Sequence, residues 1–224
     1  FLSFQGLRAD GYRHHAYAYS RGLNALSHHD LNERLELGLL FNIHDAPYLF
    51  NPSSLDRQTA SSAPRSARFF IVSQGAAKKV RQAQGGASLR YSHAQGSTSQ
   101  LVVYGLDRSL KNPIPGRIIE LERGGGGVRA THSGAFNKLR FTGGMDLDWQ
   151  SDQRGEFANE GLPDAAVGTL DDERVFSQVQ YGAEQLDQRE KVRSIGHFLS
   201  LEMPIAPALA LSLSGRYDRY HFAV

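Results

Sequence analysis

The feature that most constrains this chain is a period of two that runs far longer than an ordinary strand. From Asn137 to Gln150, Leu139, Phe141, Gly143, Met145, Leu147 and Trp149 take every second position. Arg140, Thr142, Gly144, Asp146, Asp148 and Gln150 fill the positions between. Successive side chains of an extended chain point to opposite faces, so this segment is an apolar face backed by a polar one. The pattern recurs. Leu35, Leu37, Leu39, Phe41 and Ile43 alternate with mostly polar neighbours, and so do Ile195, His197, Leu199, Leu201 and Met203. Leu209, Leu211, Leu213, Gly215 and Tyr217 form a further run, and Ala83, Gly85, Ala87, Leu89 and Tyr91 another. Residues 99–106 are apolar on both faces, and the pattern leaves their orientation open.

A soluble β-sandwich also alternates, with its apolar face turned to the core. Length separates the two readings. Sandwich strands run about 5–6 residues, whereas membrane-crossing strands need about 9–11. The runs here last roughly ten residues, the length of a membrane-crossing strand. No stretch of about 18 apolar residues occurs, so no transmembrane helix is expected, which says nothing of a barrel.

Composition agrees and excludes alternatives. Among 224 residues there is no cysteine, which removes disulfides, Cys-based metal sites and Cys nucleophiles. The formal net charge of +2 lacks the basic excess of a nucleic-acid-binding surface, so no nucleic-acid partner is expected. The 23 glycines and 21 Tyr and Phe residues suit strands and turns better than helices.

The pattern predicts nine strands, near 1–9, 15–27, 32–44, 80–93, 98–107, 123–133, 136–151, 189–203 and 208–223. Every second connection is short: Ser27 to Asn32, His93 to Ser99, Ser133 to Asn137, and Pro204 to Pro207. Three of the others read as long: Asp45 to Lys79, Arg108 to Glu122, and Ser151 to Gln188. Short turns at one end and long loops at the other are the organisation of an outer-membrane barrel. Phe41, Trp149 and Tyr217 fall near the long-loop ends on the apolar face, where an aromatic belt belongs. The fold class expected is therefore all-β, an antiparallel up-and-down transmembrane β-barrel. From the odd strand count, with both ends inside strand pattern, residues 1–224 are expected to be a partial barrel domain of about nine strands, without a plug domain or the remaining strands.

Several stretches resemble a known family. Residues 209–220, Leu-Ala-Leu-Ser-Leu-Ser-Gly-Arg-Tyr-Asp-Arg-Tyr, resemble the "RYD" strands of TonB-dependent outer-membrane receptors. Asp10-Gly11-Tyr12-Arg13-His14 resembles the loop after an early barrel strand of that family, and Asp45-Ala46-Pro47-Tyr48 with Asn51-Pro52 resembles the start of a long siderophore-receptor loop. Arg123 to Arg129 also fits a strand of that kind. The resemblance implies a barrel of about 22 strands around an N-terminal plug. It further implies import of ferric siderophores or similar scarce ligands, energised by the TonB complex acting through the plug region, in a bacterial outer membrane. A passive porin-like channel and a soluble β-sandwich binding module are the alternatives. The expected partners are outer-membrane lipid, the ligand and the TonB complex.

The remaining motifs point to no chemistry. His14-His15 and His28-His29 are adjacent pairs whose side chains diverge on a strand, so no metal site is expected. His28-His29 reads as a polar turn. Gly124 to Gly127 lacks the Gly-Lys-Ser/Thr ending of a phosphate loop and reads as a flexible entry to a strand. Asp146, Asp148 and Asp152 lack the glycine and glutamate of a calcium loop; Asp146 and Asp148 are expected to face the lumen beside Arg140. No Gly-x-Ser-x-Gly elbow occurs, and neither an enzyme nor a cofactor is expected. Ligand contacts are expected from Tyr12, Arg13, Tyr48, Arg65, Arg68, Lys111, Arg117 and Arg154 at the outer rim. Arginine and aromatic side chains suit anionic chelates through charge-assisted hydrogen bonds and cation–π contact.

Overall fold

The computed structural model describes residues 1–94 and 96–224. Nine strands dominate: β1 (Leu2–Ala9), β2 (Ala18–Asn32), β3 (Leu35–Phe50), β4 (Ala77–Ser92), β5 (Thr98–Ile114), β6 (Arg117–Phe136), β7 (Leu139–Gly161), β8 (Gln180–Ala206) and β9 (Leu209–Ala223). They form one sheet in chain order, each antiparallel to the next. All nine expected strands are present. They make one sheet rather than two stacked ones, so the sandwich reading is not met.

The turns explain this order. Two-residue connections at Glu33-Arg34, Asn137-Lys138 and Pro207-Ala208, and a short one at residues 93–97, close one end of the sheet. Asn137 takes φ +54°, the left-handed conformation tight hairpin turns need and Asn tolerates. Asn32 accepts the Arg34 N–H through its side chain, a local bond that fixes the first turn. At the other end lie residues 10–17, residues 51–76 and residues 162–179. Residues 51–76 carry α1 (Arg57–Ser62) and α2 (Phe69–Ser73), and residues 162–179 carry α3 (Val175–Gln178).

The fifth connection departs from expectation. Residues 108–122 are not a long loop: β5 runs to Ile114, Pro115-Gly116 turns the chain, and β6 starts at Arg117. Proline presets φ and Gly116 takes φ +80°, the pattern of a type II turn. The other loop boundaries also move outward. β3 continues to Phe50, so Tyr48 is a strand residue, and β7 continues to Gly161, so Arg154 is too. His28 and His29 lie in β2, opposite Gly38 and Leu37, rather than in a turn.

The two faces differ in what covers them. Leu39, Phe41, Leu89, Leu101, Val103, Leu147, Trp149 and Leu199 are exposed although apolar. Register places Leu39, Ala87, Val103, Val128, Leu147 and Ile195 in one cross-strand row on that face. This settles the orientation of residues 99–106: Leu101 and Val103 belong to the apolar face, Val102 and Tyr104 to the polar one. Phe41 and Trp149 share the next row through Gly85, Gly105 and Gly126. Tyr217 lies two rows nearer the short turns, opposite His197. On the polar face Asp146, Asp152 and Glu156 are buried.

Gly124 to Gly127 form mid-strand β6, not a loop. At Gly126 and Gly127 the reason is close approach. A Cβ on Gly126 would lie 2.6 Å from the Tyr104 carbonyl oxygen, and one on Gly127 would lie 2.5 Å from both the Tyr104 hydroxyl and Asp148 Oδ1. Only glycine lets those groups pass.

A compact apolar core sits at the long-loop end. Phe50, Ala77, Ile118, Leu162, Val175, Phe176 and Val179 are buried together, with Tyr17, Tyr48 and Phe157 against them. It joins strand ends to the long connections. Burying these side chains stabilises loops that would otherwise stay unordered.

Candidate functional site

The polar face is built on β7. Asp146, Asp148, Gln150, Asp152, Arg154 and Glu156 take alternate positions, so all point to one side. Arginines from β6 meet them at intervals of six residues, an even spacing that keeps one face. Arg129 lies opposite Asp146 and Arg123 opposite Asp152 in the register. Asp146 accepts from Arg129 at 2.5 and 3.1 Å and from Arg216 of β9 at 2.7 Å. Arg216 also binds Asp218. Asp152 accepts from Arg123 at 2.9 and 2.6 Å and from Gln150 at 3.2 Å. Glu156 accepts from Arg117 at 2.7 Å and from Arg154. Between these stations Asp148 accepts from the Tyr104 hydroxyl and from Ser194. The three principal carboxylates are 2–5% exposed, so each would be costly to ionise without its guanidinium.

Asp146 does not pair with Arg140, which meets Glu202 nearer the short turns. No sequence motif marks the paired arginines 123, 129 and 216. Their spacing was visible, but their partners depend on register.

The eight expected rim residues fall into separate groups. Tyr12, Arg13 and Arg65 meet where residues 10–17 touch residues 51–76. Arg13 donates to the carbonyls of Ser66, Ser53 and Pro52, which commits its guanidinium to the loop backbone. The Arg65 guanidinium lies 5.5 Å from the Tyr12 ring centre. Arg68 precedes α2 and lies 5.9 Å from the Phe70 ring. Tyr48 packs against Tyr19 and Phe50 at the edge of the apolar core. Lys111 donates to the Phe176 carbonyl at 2.9 Å and sits 4.6 Å from the Tyr181 ring. Arg117 and Arg154 share Glu156. Arg65, Arg68 and Tyr12 are thus the members of the set whose polar groups are least committed.

His15 belongs to an adjacent pair from which no metal site is expected, yet it is buried in the loop core. Its Nε2–H donates to the Ala76 carbonyl at 2.9 Å, and its ring meets Phe50 edge-on. Burial pushes its pKa below the ordinary histidine value, because the charged form loses water there. Among the described residues no three His, Cys, Asp or Glu side chains cluster as a metal site.

The apolar face is open, and the charged side chains of the polar face are paired with one another. Solved structures share this fold over nearly the whole chain. The receptor FpvAI in its complex with pyocin S2 aligns with 99% of this chain and 33% of its own, at a TM-score of 0.76 and 13% identity. These nine strands have the barrel fold of TonB-dependent siderophore receptors. The ferric citrate transporter FecA, unliganded, aligns at 0.70 with 13% identity over 99% of this chain and 32% of its own. The ferripyoverdine receptor of the Pseudomonas aeruginosa outer membrane, bound to ferripyoverdine, aligns at 0.68 with 12% identity over 98% and 32%. The chain spans about a third of the length of the receptors it matches. At these identities the likeness is one of fold. No family model matches the sequence, and no curated protein matches it.

Proposed function

We propose that this chain supplies wall and outer rim to a TonB-dependent outer-membrane receptor that imports ferric siderophores or similarly scarce ligands. The observation that carries the reading is the whole-length alignment with siderophore-receptor barrels, joined to the opposite character of the two faces. The apolar face meets lipid. The polar face, with its column of carboxylates on β7, lines the lumen. The long connections form the outer rim, where Tyr12, Arg13, Tyr48, Arg65, Arg68, Lys111, Arg117 and Arg154 are the proposed ligand contacts. Arg65 and Arg68 recognise anionic groups of the chelate, and Tyr12 stacks on it. Arg13 and Lys111 act by holding the loops that present them. The solved neighbours are transport receptors, and we assign no catalytic step to these residues. Energy reaches the receptor through a plug region contacted by the TonB complex, which is not part of these nine strands.

The test is uptake of radio-iron supplied as a panel of siderophores, in cells carrying or lacking the gene. Loss of uptake of one chelate on deletion, and equal loss when TonB is removed, is the expected result. Permeation of small solutes that persists without TonB would identify a passive channel instead. Recovery of the protein from the aqueous fraction without detergent would sink the membrane reading altogether.

A further inference from the structure

Two histidines far from the loop core converge on one hydroxyl. His93 follows Ser92, the last residue of β4, and His132 stands in β6. Ser99 of β5 lies opposite Tyr91 on one side and His132 on the other. Tyr91, Ser99 and His132 are in register two residues beyond Leu89, Leu101 and Ala130, so they continue the apolar face toward the short turns. His93 Nε2 lies 2.9 Å from Ser99 Oγ, and His132 Nδ1 lies 2.8 Å from the same oxygen. Histidines adjacent in one strand, such as His28 and His29, point to opposite faces. His93 and His132 come from different segments and aim at one point.

The rings are framed by other aromatics. Tyr91 meets His93 edge-on at 4.7 Å between ring centres, His93 meets His132 at 5.6 Å, and His132 meets Phe141 at 5.7 Å. The His93 N–H donates to the Ser97 carbonyl at 2.8 Å, which holds the turn that carries the first ring. A groove of about 510 Å³ opens beside the cluster, lined by Tyr91, Ser99, Leu101, His132 and Met145 among others. A hydroxyl has one proton to give, so one imidazole nitrogen accepts it while the other donates its own N–H. Moving that N–H proton to the far ring nitrogen, and turning the hydroxyl proton outward, leaves three lone pairs facing one point with no change in proton count. Ligands about 2.1 Å from an ion stand about 3 Å from one another, close to the nitrogen–oxygen spacing already present.

We propose that His93, His132 and Ser99 bind a divalent ion of the zinc–copper class, water completing its shell, and that the ion ties the β4–β5 turn to β6. The donor set selects that class. Calcium and magnesium take oxygen shells, whereas imidazole suits zinc, copper and nickel. Among the described residues neither histidine is paired with a carboxylate, so the imidazoles are free to ligate. The site lies away from the lumen and the outer rim and goes beyond the import reading.

The test uses the full-length protein in mild detergent, stripped with a chelator and returned to metal-free buffer. Zinc binding is measured by titration calorimetry. Copper(II) binding is followed by electron paramagnetic resonance, whose nitrogen hyperfine splitting counts the coordinated imidazoles. The wild type should show two nitrogens on copper. Losing a mere supporting partner of a metal ligand costs about 10–100-fold in affinity, so His93→Gln and His132→Gln should each weaken zinc binding at least about tenfold and leave one nitrogen on copper. Ser99→Ala should cost less, because water can replace the hydroxyl. The control His28→Gln, His29→Gln, at the same end of the sheet, should bind as the wild type does. With zinc at a hundredfold its dissociation constant, the folded-to-unfolded ratio of the wild type should rise about a hundredfold, and that of the double variant His93→Gln, His132→Gln should not move. Zinc binding that survives the double variant, or that is lost in the control, overturns the proposal. So does a wild-type copper spectrum with one nitrogen or none, which decides the matter even where a variant does not fold.

Discussion

Val103 and Val102 are adjacent, equally apolar and at the same depth, so a charge placed at each asks one question of the sheet. Val103 lies in the apolar row between Ala87 and Val128 and is 43% exposed; Val102 lies between Ser88 and Arg129 on the polar face. β5 enters the sheet at Thr98 and meets the glycine row at Gly105, so both valines stand near the middle of the apolar band. If that band faces lipid, Val103→Arg should destabilise by about 2–4 kcal/mol, the cost of arginine near the bilayer midplane. Val102→Arg enters a wet, polar surface. Its main penalty is repulsion from Arg129, a cross-strand like-charge pair of roughly 0.2–1 kcal/mol. If the same band faced water, Val103→Arg would be a substitution at a half-exposed surface and cost within about 0.5 kcal/mol. Reversible urea unfolding in lipid vesicles, followed by tryptophan fluorescence, measures both. Equal costs, or a larger cost at Val102, would refute the facing of the wall and with it the membrane reading.

Other perturbations test the remaining layers. Asp146→Ala leaves Arg129 and Arg216 facing each other; because both guanidinium groups are about half exposed, the 3–5 kcal/mol of a fully buried broken pair should fall to about 1–2 kcal/mol in the same unfolding assay. Arg13→Ala removes three donors to the carbonyls of residues 52, 53 and 66, and should raise protease nicking within residues 51–76 about tenfold while global unfolding is unchanged. His15 has a folded pKa below 6.5, so the folded loop core binds fewer protons than the unfolded one. Its contribution is complete above pH 6.5 and is lost as pH falls from there through the folded value. The protection of amides around Ala76, taken relative to their intrinsic exchange rate at each pH, should therefore fall on acidification from about pH 7.5 to 5. His15→Asn, which tolerates the positive φ at this position, should remove that dependence.

The sequence made the wall legible because lipid on one side and polar contacts on the other impose a period of two that little else sustains for ten residues. The same physics explains where reading failed. At the long-loop end the strands extend past the apolar band, both faces meet polar surroundings, and alternation fades. Lys111, Asn112, Arg117 and Glu120 look like loop residues, yet they continue the β5–β6 hairpin to a Pro-Gly turn. The glycine run from 124 to 127 looks flexible for the same reason: composition carries no sign that Tyr104 and Trp149 cross above it. The carboxylate column on β7 was visible as alternate acids, but its partners were not, and the cause is one turn. A two-residue hairpin pairs residues by counting outward from it, so Asn137-Lys138 puts Arg129 on Asp146 and Arg123 on Asp152. Placing that turn earlier, at residues 133–137, slides every partner and takes Arg129 off Asp146 and Arg123 off Asp152. Register thus converts a list of charged residues into a site, and it hangs on the conformation of a single asparagine with φ +54°. The rim is the least legible region because its contacts join residues 10–17, 51–76 and 162–179 through backbone carbonyls, which every residue possesses and no sequence pattern marks.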